Sequence, residues 1–410
     1  MVVTILLLTL WPLPEQAYRA SLSPVTCLVC GDQGLQDVFQ NILMLLPLGV
    51  FLGLAGIGPA RAGLVGFALS FLVEALQYTV VTGRDASLSD VVTNTAGTVL
   101  GAMLAPHLPV LLRPSRPAAA RLAIAMVLLW SAAWMFGAWA LEGHIGAGNW
   151  RGRFPGDMPD APALSGTAVQ ATVDGAALGA VPVSLPPEVE QRFARDTFDL
   201  RVVIEPAAPV APRENVVTLI DVAPDNRGNN SLVLMLNRVG PRALLSYRIN
   251  ASSVRLRTPS FSFGPAFGVP EGHRATLQVG RARGILRGVA DRDGQPLNTE
   301  YRIAPELLWS VLVPRTPHPG AEWRVEPFLW AAALLAIAGY WAGKSRSRGA
   351  FLITFAWVIA VQAVTPRFFP VAEQSLLGWA MLLGGIMLGV LAGRQTQKGP
   401  HPKMRAFQRA

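Results

Sequence analysis

Ten residues between positions 41 and 101 are out of keeping with the apolar runs around them: Asn41, Pro47, Gly49, Glu74, Gln77, Arg84, Asp90, Asn94, Gly97 and Gly101. Their neighbours are almost all Leu, Val, Ala, Phe and Gly. The polar members supply a definite chemistry. Glu74 or Asp90 could take a proton as a base. Arg84 could grip a phosphate or carboxylate through its planar fork. Asn41, Gln77 and Asn94 add amide donors and acceptors. Such groups are costly in hydrocarbon, so they are expected to face an interior or a wet cavity and to mark a site.

The spacing says which elements hold them. Ser70, Glu74, Gln77 and Tyr78 fall at i, i+4, i+7 and i+8 of one helix. Asp90, Asn94, Gly97 and Gly101 fall at i, i+4, i+7 and i+11 of the next. Each set is one face of a helix. Gly97-x-x-x-Gly101 also admits a second helix at close range. A bland reading stands beside the functional one. Asp90, Ser87 or Ser89 would then cap a helix N-terminus, while Glu74 and Gln77 would only bond neighbouring helices.

The pattern N-x-x-x-x-x-P-x-G, then E-x-x-Q, then R-x-x-x-x-x-D-x-x-x-N-x-x-G-x-x-x-G resembles the VanZ-like membrane proteins. The resemblance covers roughly residues 1–110. It implies a place in the bacterial cytoplasmic membrane and a polar site at Asn41, Glu74, Gln77, Arg84, Asp90 and Asn94. Pro47, Gly49, Gly97 and Gly101 would be structural. The namesake is linked to resistance to the glycopeptide teicoplanin. The family carries no securely assigned reaction, so the resemblance leaves open whether the chain is an enzyme.

Composition agrees with a membrane protein carrying soluble material. The 410-residue chain is 15% charged, with net charge +9. Its mean hydropathy is +0.37. Apolar runs lie at 38–56, 62–82, 89–105, 121–141, 326–343, 349–366 and 374–393. Residues 1–13 are apolar but shorter than the ~20 residues a span needs. They read as a short or incomplete first transmembrane helix, with a signal peptide as the competing reading.

Alternating eight spans places three basic groups on one side: Arg113, Arg116 and Arg121; Lys344, Arg346 and Arg348; and Arg394, Lys398, Lys403, Arg405 and Arg409. By the positive-inside rule that side is cytoplasmic. Both termini are then inside, residues 142–325 are extracytoplasmic, and the polar stripe sits in the outer leaflet. Basic residues lie beside apolar runs rather than in a separate patch, which excludes nucleic acid as a partner.

Cys27 and Cys30 are the only cysteines. Their C-x-x-C is a candidate local disulfide or a pair of free thiols. No further ligands suggest zinc. No cofactor and no metal is expected.

Residues 142–325 change character. Phe198, Leu200, Val202 and Ile204 alternate with period two, and similar strands fit 216–222, 231–238, 243–250, 275–280 and 284–290. Turn signals separate them, which suggests a two-sheet sandwich. The segment at about 165–315 resembles concanavalin-like, laminin-G-like domains. The resemblance lies in the strand opening Thr197-Phe-Asp-Leu-Arg-Val and the late Gly272-His273…Asp291-Arg-Asp-Gly294 run. It implies glycan binding. Asp225, Asn226, Asn229 and Asn230 read as a hairpin turn rather than calcium ligands.

The expected fold is thus a polytopic α-helical membrane protein of about eight transmembrane helices with an inserted extracytoplasmic all-β sandwich. The expected divisions are a VanZ-like domain at 1–110, a further transmembrane helix at 111–145 and a linker at 146–165. The sandwich follows at 166–320, three transmembrane helices at 326–393 and a basic cytoplasmic tail at 394–410. The expected partners are membrane lipid and a cell-wall glycan or lipid-linked glycan, bound, sensed or modified at the polar pocket. The rival function is a non-enzymatic scaffold that holds glycan or protein through the sandwich. Transport is a third, weakened because the inner halves of the same helices lack polar residues.

Overall fold

The computed structural model describes Leu10 and residues 34–81, 87–144, 149–154, 166–206, 216–224, 233–270, 273–292, 294–312 and 325–396. The chain divides into two compact units, Met1–Ser115 with Val254–Arg257, and the remainder.

The first unit holds α1 (Gly34–Leu54), α2 (Pro59–Thr79) and α3 (Leu88–Leu104). A short continuation carries α3 on through Leu112. Pro59 opens α2 at a position whose N–H would lie unpaired in any case. Ser87 caps α3, its hydroxyl accepting from the Ser89 N–H at 3.2 Å. Large apolar side chains such as Leu43, Phe51, Phe71 and Met103 point outward. That suits helices whose surroundings are lipid rather than water.

Glycine sets how closely α1 and α3 approach. A Cβ at Gly97 would overlap the carbonyl of Ile42, and one at Gly101 the carbonyl of Leu46. From the other side, a Cβ at Gly49 would overlap the carbonyl of Thr98. Contact positions rise together along both helices, so α1 and α3 run parallel, while α2 runs back antiparallel and packs mainly on α3.

The second unit joins α4 (Arg116–Ala140) to the β domain, and then to α5 (Glu326–Ser345), α6 (Arg348–Phe368) and α7 (Leu376–Gln395). Here α5 and α7 repeat the parallel glycine contact. Gly339 and Gly343 abut the Ile386 and Val390 carbonyls, while Gly385, Gly389 and Gly393 abut those of Ala332, Ala336 and Tyr340. Trp357 of α6 donates its indole N–H to Ser131 of α4 at 2.9 Å.

Six of the described helices are long and apolar enough to cross a membrane. They coincide with six of the eight expected spans. A seventh, 326–343, is the 20-residue α5, diluted in apolarity by Trp330, Tyr340, Trp341 and Lys344. The first, at 1–13, lies outside the described residues apart from Leu10.

The β domain is two six-stranded antiparallel sheets. One has the order β4-β1-β6-β7-β8-β9, the other β12-β11-β10-β5-β2-β3. The strands are β1 Trp150–Arg153, β2 Gly166–Val173, β3 Ala176–Ala177, β4 Val183–Ser184, β5 Phe198–Pro206 and β6 Val216–Pro224, followed by β7 Leu234–Val239, β8 Arg242–Tyr247, β9 Ser260–Ser262, β10 Ala275–Ala282, β11 Ile285–Arg292 and β12 Gln295–Arg302. A run of rings crosses between the sheets: Phe198 against Tyr247, Tyr247 against Phe261, and Phe261 against Tyr301. Leu200, Val202, Ile204, Leu277 and Val279 fill the space around it and are fully buried.

β1 corrects the expected linker at 146–165. Trp150–Arg153 is an inner strand, hydrogen-bonded to β6 on one side and β4 on the other. The six strands expected from alternation are all present, with ends shifted by a few residues. Six more, including the eight-residue β12, were not anticipated.

The sandwich docks on one end of its own helices. Asn250 donates its side-chain amide to the Trp139 carbonyl at 3.0 Å. Trp330 donates to the Glu306 carbonyl at 2.9 Å. Ala372, between α6 and α7, donates its N–H to the Ile303 carbonyl at 2.9 Å. Lys344, Arg346 and Arg348, at the α5–α6 junction, therefore lie at the opposite end of those helices.

Candidate functional site

In the first unit the polar residues gather at one end of the three helices. That end comprises the start of α1, the close of α2 and the start of α3. Ser70, Glu74 and Gln77 line one face of α2, and each is under 9% exposed. Gly63 and Gly66 continue that face against Val99 and Thr98 of α3. Tyr78 departs from the expected stripe and is 79% exposed. At 3.6 residues per turn, position i+8 has drifted about 80° from the start of the stripe.

Asn41 of α1 donates its amide to Asp90 Oδ1 of α3 at 2.8 Å. Asn94 donates to the Ser70 hydroxyl at 2.9 Å, and that hydroxyl donates to the Asp90 carbonyl at 3.4 Å. Glu74 Oε2 accepts the backbone N–H of Ser87 at 2.7 Å. Glu74 thus ties the end of α2 to the cap of α3. Its negative charge sits where a helix N-terminus favours one. Asn94 Oδ1 is buried without a hydrogen-bond partner among the described residues.

The arrangement brings together Asn41, Glu74, Asp90 and Asn94 as linked polar groups, with Gln77 buried on the same face as Glu74. Pro47 is exposed and points away. Gly49, Gly97 and Gly101 form the helix contact instead of lining the cluster. Arg84, Cys27 and Cys30 lie outside the described residues.

One member escaped the sequence reading. Asp37 stands one turn before Asn41 on α1 and is close enough to Asp90 for the two carboxylates to repel. The i, i+4 spacing to Asn41 was a usable signal. Among the described residues this end of the unit is acidic, carrying Asp37, Glu74 and Asp90. It offers acceptors to the hydroxyl or amine groups of a ligand and an amide at Asn41.

A second polar cluster lies where α4 enters the sandwich. Arg281 of β10 is wholly buried and pairs with Asp196, 4% exposed. Its guanidinium also donates to the Tyr247 hydroxyl and lies 4.6 Å from the centre of that ring. Burial raises the Asp196 carboxyl and the Tyr247 phenol, while the neighbouring Arg281 charge opposes both shifts. Asn250 binds Glu142 and the end of α4 beside it. Sealed from solvent, this cluster is a structural pin. The sequence signal was the period-two register of β10, which turns Arg281 inward with Ala275, Leu277 and Val279.

Among the described residues, no three His, Cys, Asp or Glu side chains come together as metal ligands.

Residues 2–112 match the family model VanZ/LLP1. The match contains every residue of the membrane cluster and ends with the continuation of α3. This part of the chain is a VanZ-like domain. No curated protein and no solved structure matches the chain.

Proposed function

We propose that the VanZ-like unit binds, senses or modifies a hydroxyl-rich envelope component, a glycan or lipid-linked glycan, at its polar end. The observation that carries this is the linkage of Asn41, Ser70, Glu74, Asp90 and Asn94 across three otherwise apolar helices. Buried polar groups in such a setting are a ligand-site hypothesis by default. Asn94 Oδ1 supports it, because a buried acceptor left open costs stability unless something fills it.

The outer-leaflet placement draws support from each unit separately. In the first, Arg61 and Arg113 lie at the end opposite the polar cluster. In the second, Arg116, Lys344, Arg346, Arg348 and Arg394 lie at the end opposite the sandwich. Basic ends are cytoplasmic by the positive-inside rule. The polar cluster and the sandwich then both face outward, in a bacterial inner membrane with the N- and C-termini inside. The link of VanZ-like proteins to glycopeptide resistance makes a cell-wall intermediate the first ligand to test.

The test is binding of a tagged lipid-linked cell-wall intermediate to the detergent-purified protein, wild type against Glu74→Gln and Asp90→Asn. Loss of binding with normal yield and monodispersity supports the site. If the variants merely lose folded protein, the polar residues are structural and the scaffold reading takes over.

A further inference from the structure

The turn between α6 and α7, residues 369–375, meets the tip of the β10–β11 hairpin. That tip is Arg283-Gly284, with φ of 49° and 68°. A Cβ at Gly284 would overlap the backbone of Val371 and Ala372, so glycine is what lets the hairpin seat on the turn. Arg302 of β12, in register with Ile285 at the base of that tip, donates to the Glu373 carbonyl at 2.5 Å. Arg367 lies in the last turn of α6. Three arginines from three elements therefore gather around one turn, at the end of the helices where the sandwich docks.

Three details set the chemistry. First, all three arginines are exposed. Arg283 and Arg367 make no hydrogen bond or ion pair among the described residues, and Arg302 bonds only a main-chain carbonyl there. The acids nearby do not neutralise them. Glu373 forms no ion pair among the described residues, Glu300 is taken by Arg287, and Glu306, which feels the Arg302 charge, is buried. Guanidinium groups gathered in this way repel one another unless an anion lies between them, and their planar forks match phosphate oxygens. Second, α7 begins at the same turn, where the Ser375 hydroxyl accepts the Gly378 N–H at 3.1 Å. Its N-terminus adds a partial positive charge. Third, the turn is flanked by large apolar side chains, Phe368 at 73% and Leu376 at 89% exposure. On spanning helices such side chains lie among acyl chains. A soluble anion would satisfy only the charged half of this surface, whereas an anion that carries its own hydrocarbon satisfies both.

We propose that this turn is a binding site for an anionic phospholipid, with its phosphodiester among Arg283, Arg302 and Arg367 and its acyl chains against Phe368 and Leu376. Bound there, the lipid holds the β10–β11 tip, and with it the sandwich, to the leaflet it faces. The site stands apart from the polar cluster of the VanZ-like unit and does not depend on the ligand proposed there.

The experiment is native mass spectrometry of the full-length protein released from detergent micelles doped with phosphatidylglycerol or phosphatidylcholine, with glycerol phosphate as the soluble anion. Phosphatidylglycerol should be retained about tenfold more tightly than phosphatidylcholine, and glycerol phosphate at equal concentration should not displace it. Arg283→Gln/Arg367→Gln removes two charges, each worth about fivefold near a bilayer surface, and should weaken retention by about tenfold or more. Arg283→Lys/Arg367→Lys keeps both charges and should stay within about threefold of wild type. Arg287→Gln, in the same sheet but paired with Glu300, should leave retention unchanged. The proposal is overturned if phosphatidylcholine is retained equally well or if glycerol phosphate displaces the lipid. It is equally overturned if the glutamine double variant binds like wild type, if the lysine double variant loses as much as the glutamine one, or if Arg287→Gln costs as much as either.

Discussion

Asn41 and Asp90 lie 49 positions apart, on helices that run parallel, and meet through a 2.8 Å hydrogen bond from amide to carboxylate. The bond can form because glycine brings the two backbones together below it. Gly97 and Gly101 of α3 face Ile42 and Leu46 of α1, and Gly49 of α1 faces Thr98. The close-packing stripe and the polar stripe are consecutive turns of the same helix pair.

Asn41→Leu is expected to leave the Asp90 carboxylate without its donor. The cost of an unsatisfied buried polar group is about 1–3 kcal/mol. Thermal unfolding in detergent should show a lower midpoint. Asp90→Asn keeps an oxygen that can accept from Asn41 and should unfold close to wild type.

Gly97→Leu would drive a side chain into the Ile42 backbone, which cannot yield as a flexible side chain would. Overpacking of this kind costs about 1–3 kcal/mol or more. Engineered cysteines at Ile42 and Thr93 should crosslink less readily in this variant than in the parent. An equal crosslinking yield would contradict the close contact.

Asp196→Ala would strand the buried Arg281 guanidinium. Breaking a buried ion pair by removing one partner costs about 3–5 kcal/mol. The sandwich should become protease-sensitive at temperatures where wild type resists. The double variant Asp196→Ala/Arg281→Met should recover much of the loss, because no unpaired charge then remains.

Glu306 gives a pH signature outside the spans. Its carboxyl is raised to about 7 by burial, against a smaller opposing pull from Arg302. The folded state therefore holds this proton more tightly than the unfolded state, whose value stays near 4.5. Stability from this group is full below about 4.5 and is lost as pH rises through 7. Glu306→Gln should raise the unfolding midpoint at pH 8 relative to wild type and change it little at pH 4.

The parts that were legible in the sequence are those where the solvent made the rule. Lipid makes Asn41, Glu74, Asp90 and Asn94 conspicuous, and the helical period assigns them to faces. Strands such as Phe198–Pro206 were visible because alternate residues enter the core. β1 was not, because Trp-Arg-Gly-Arg is only four residues long with a single large apolar side chain, too short for its alternation to stand out, and it owes its place to pairing with β6. The arginines at the α6–α7 turn were hidden for a related reason. Arg367 is distant in sequence from Arg283 and Arg302, and only the seating of the β10–β11 hairpin on that turn brings them together. The small-residue rule that found Gly97-x-x-x-Gly101 applies equally to Gly339-x-x-x-Gly343 and Gly385-x-x-x-Gly389, where the structure places the second parallel pair.

The most direct test of the membrane site is the ligand-dependent thermal stability of detergent-purified protein against lipid-linked cell-wall intermediates and free glycans. Wild type, Asp90→Asn and Arg287→Gln would be compared in parallel. The account predicts a rise in midpoint with a lipid-linked ligand that Asp90→Asn loses and Arg287→Gln keeps. No rise with any lipid-linked ligand, or a rise that survives Asp90→Asn, would contradict it.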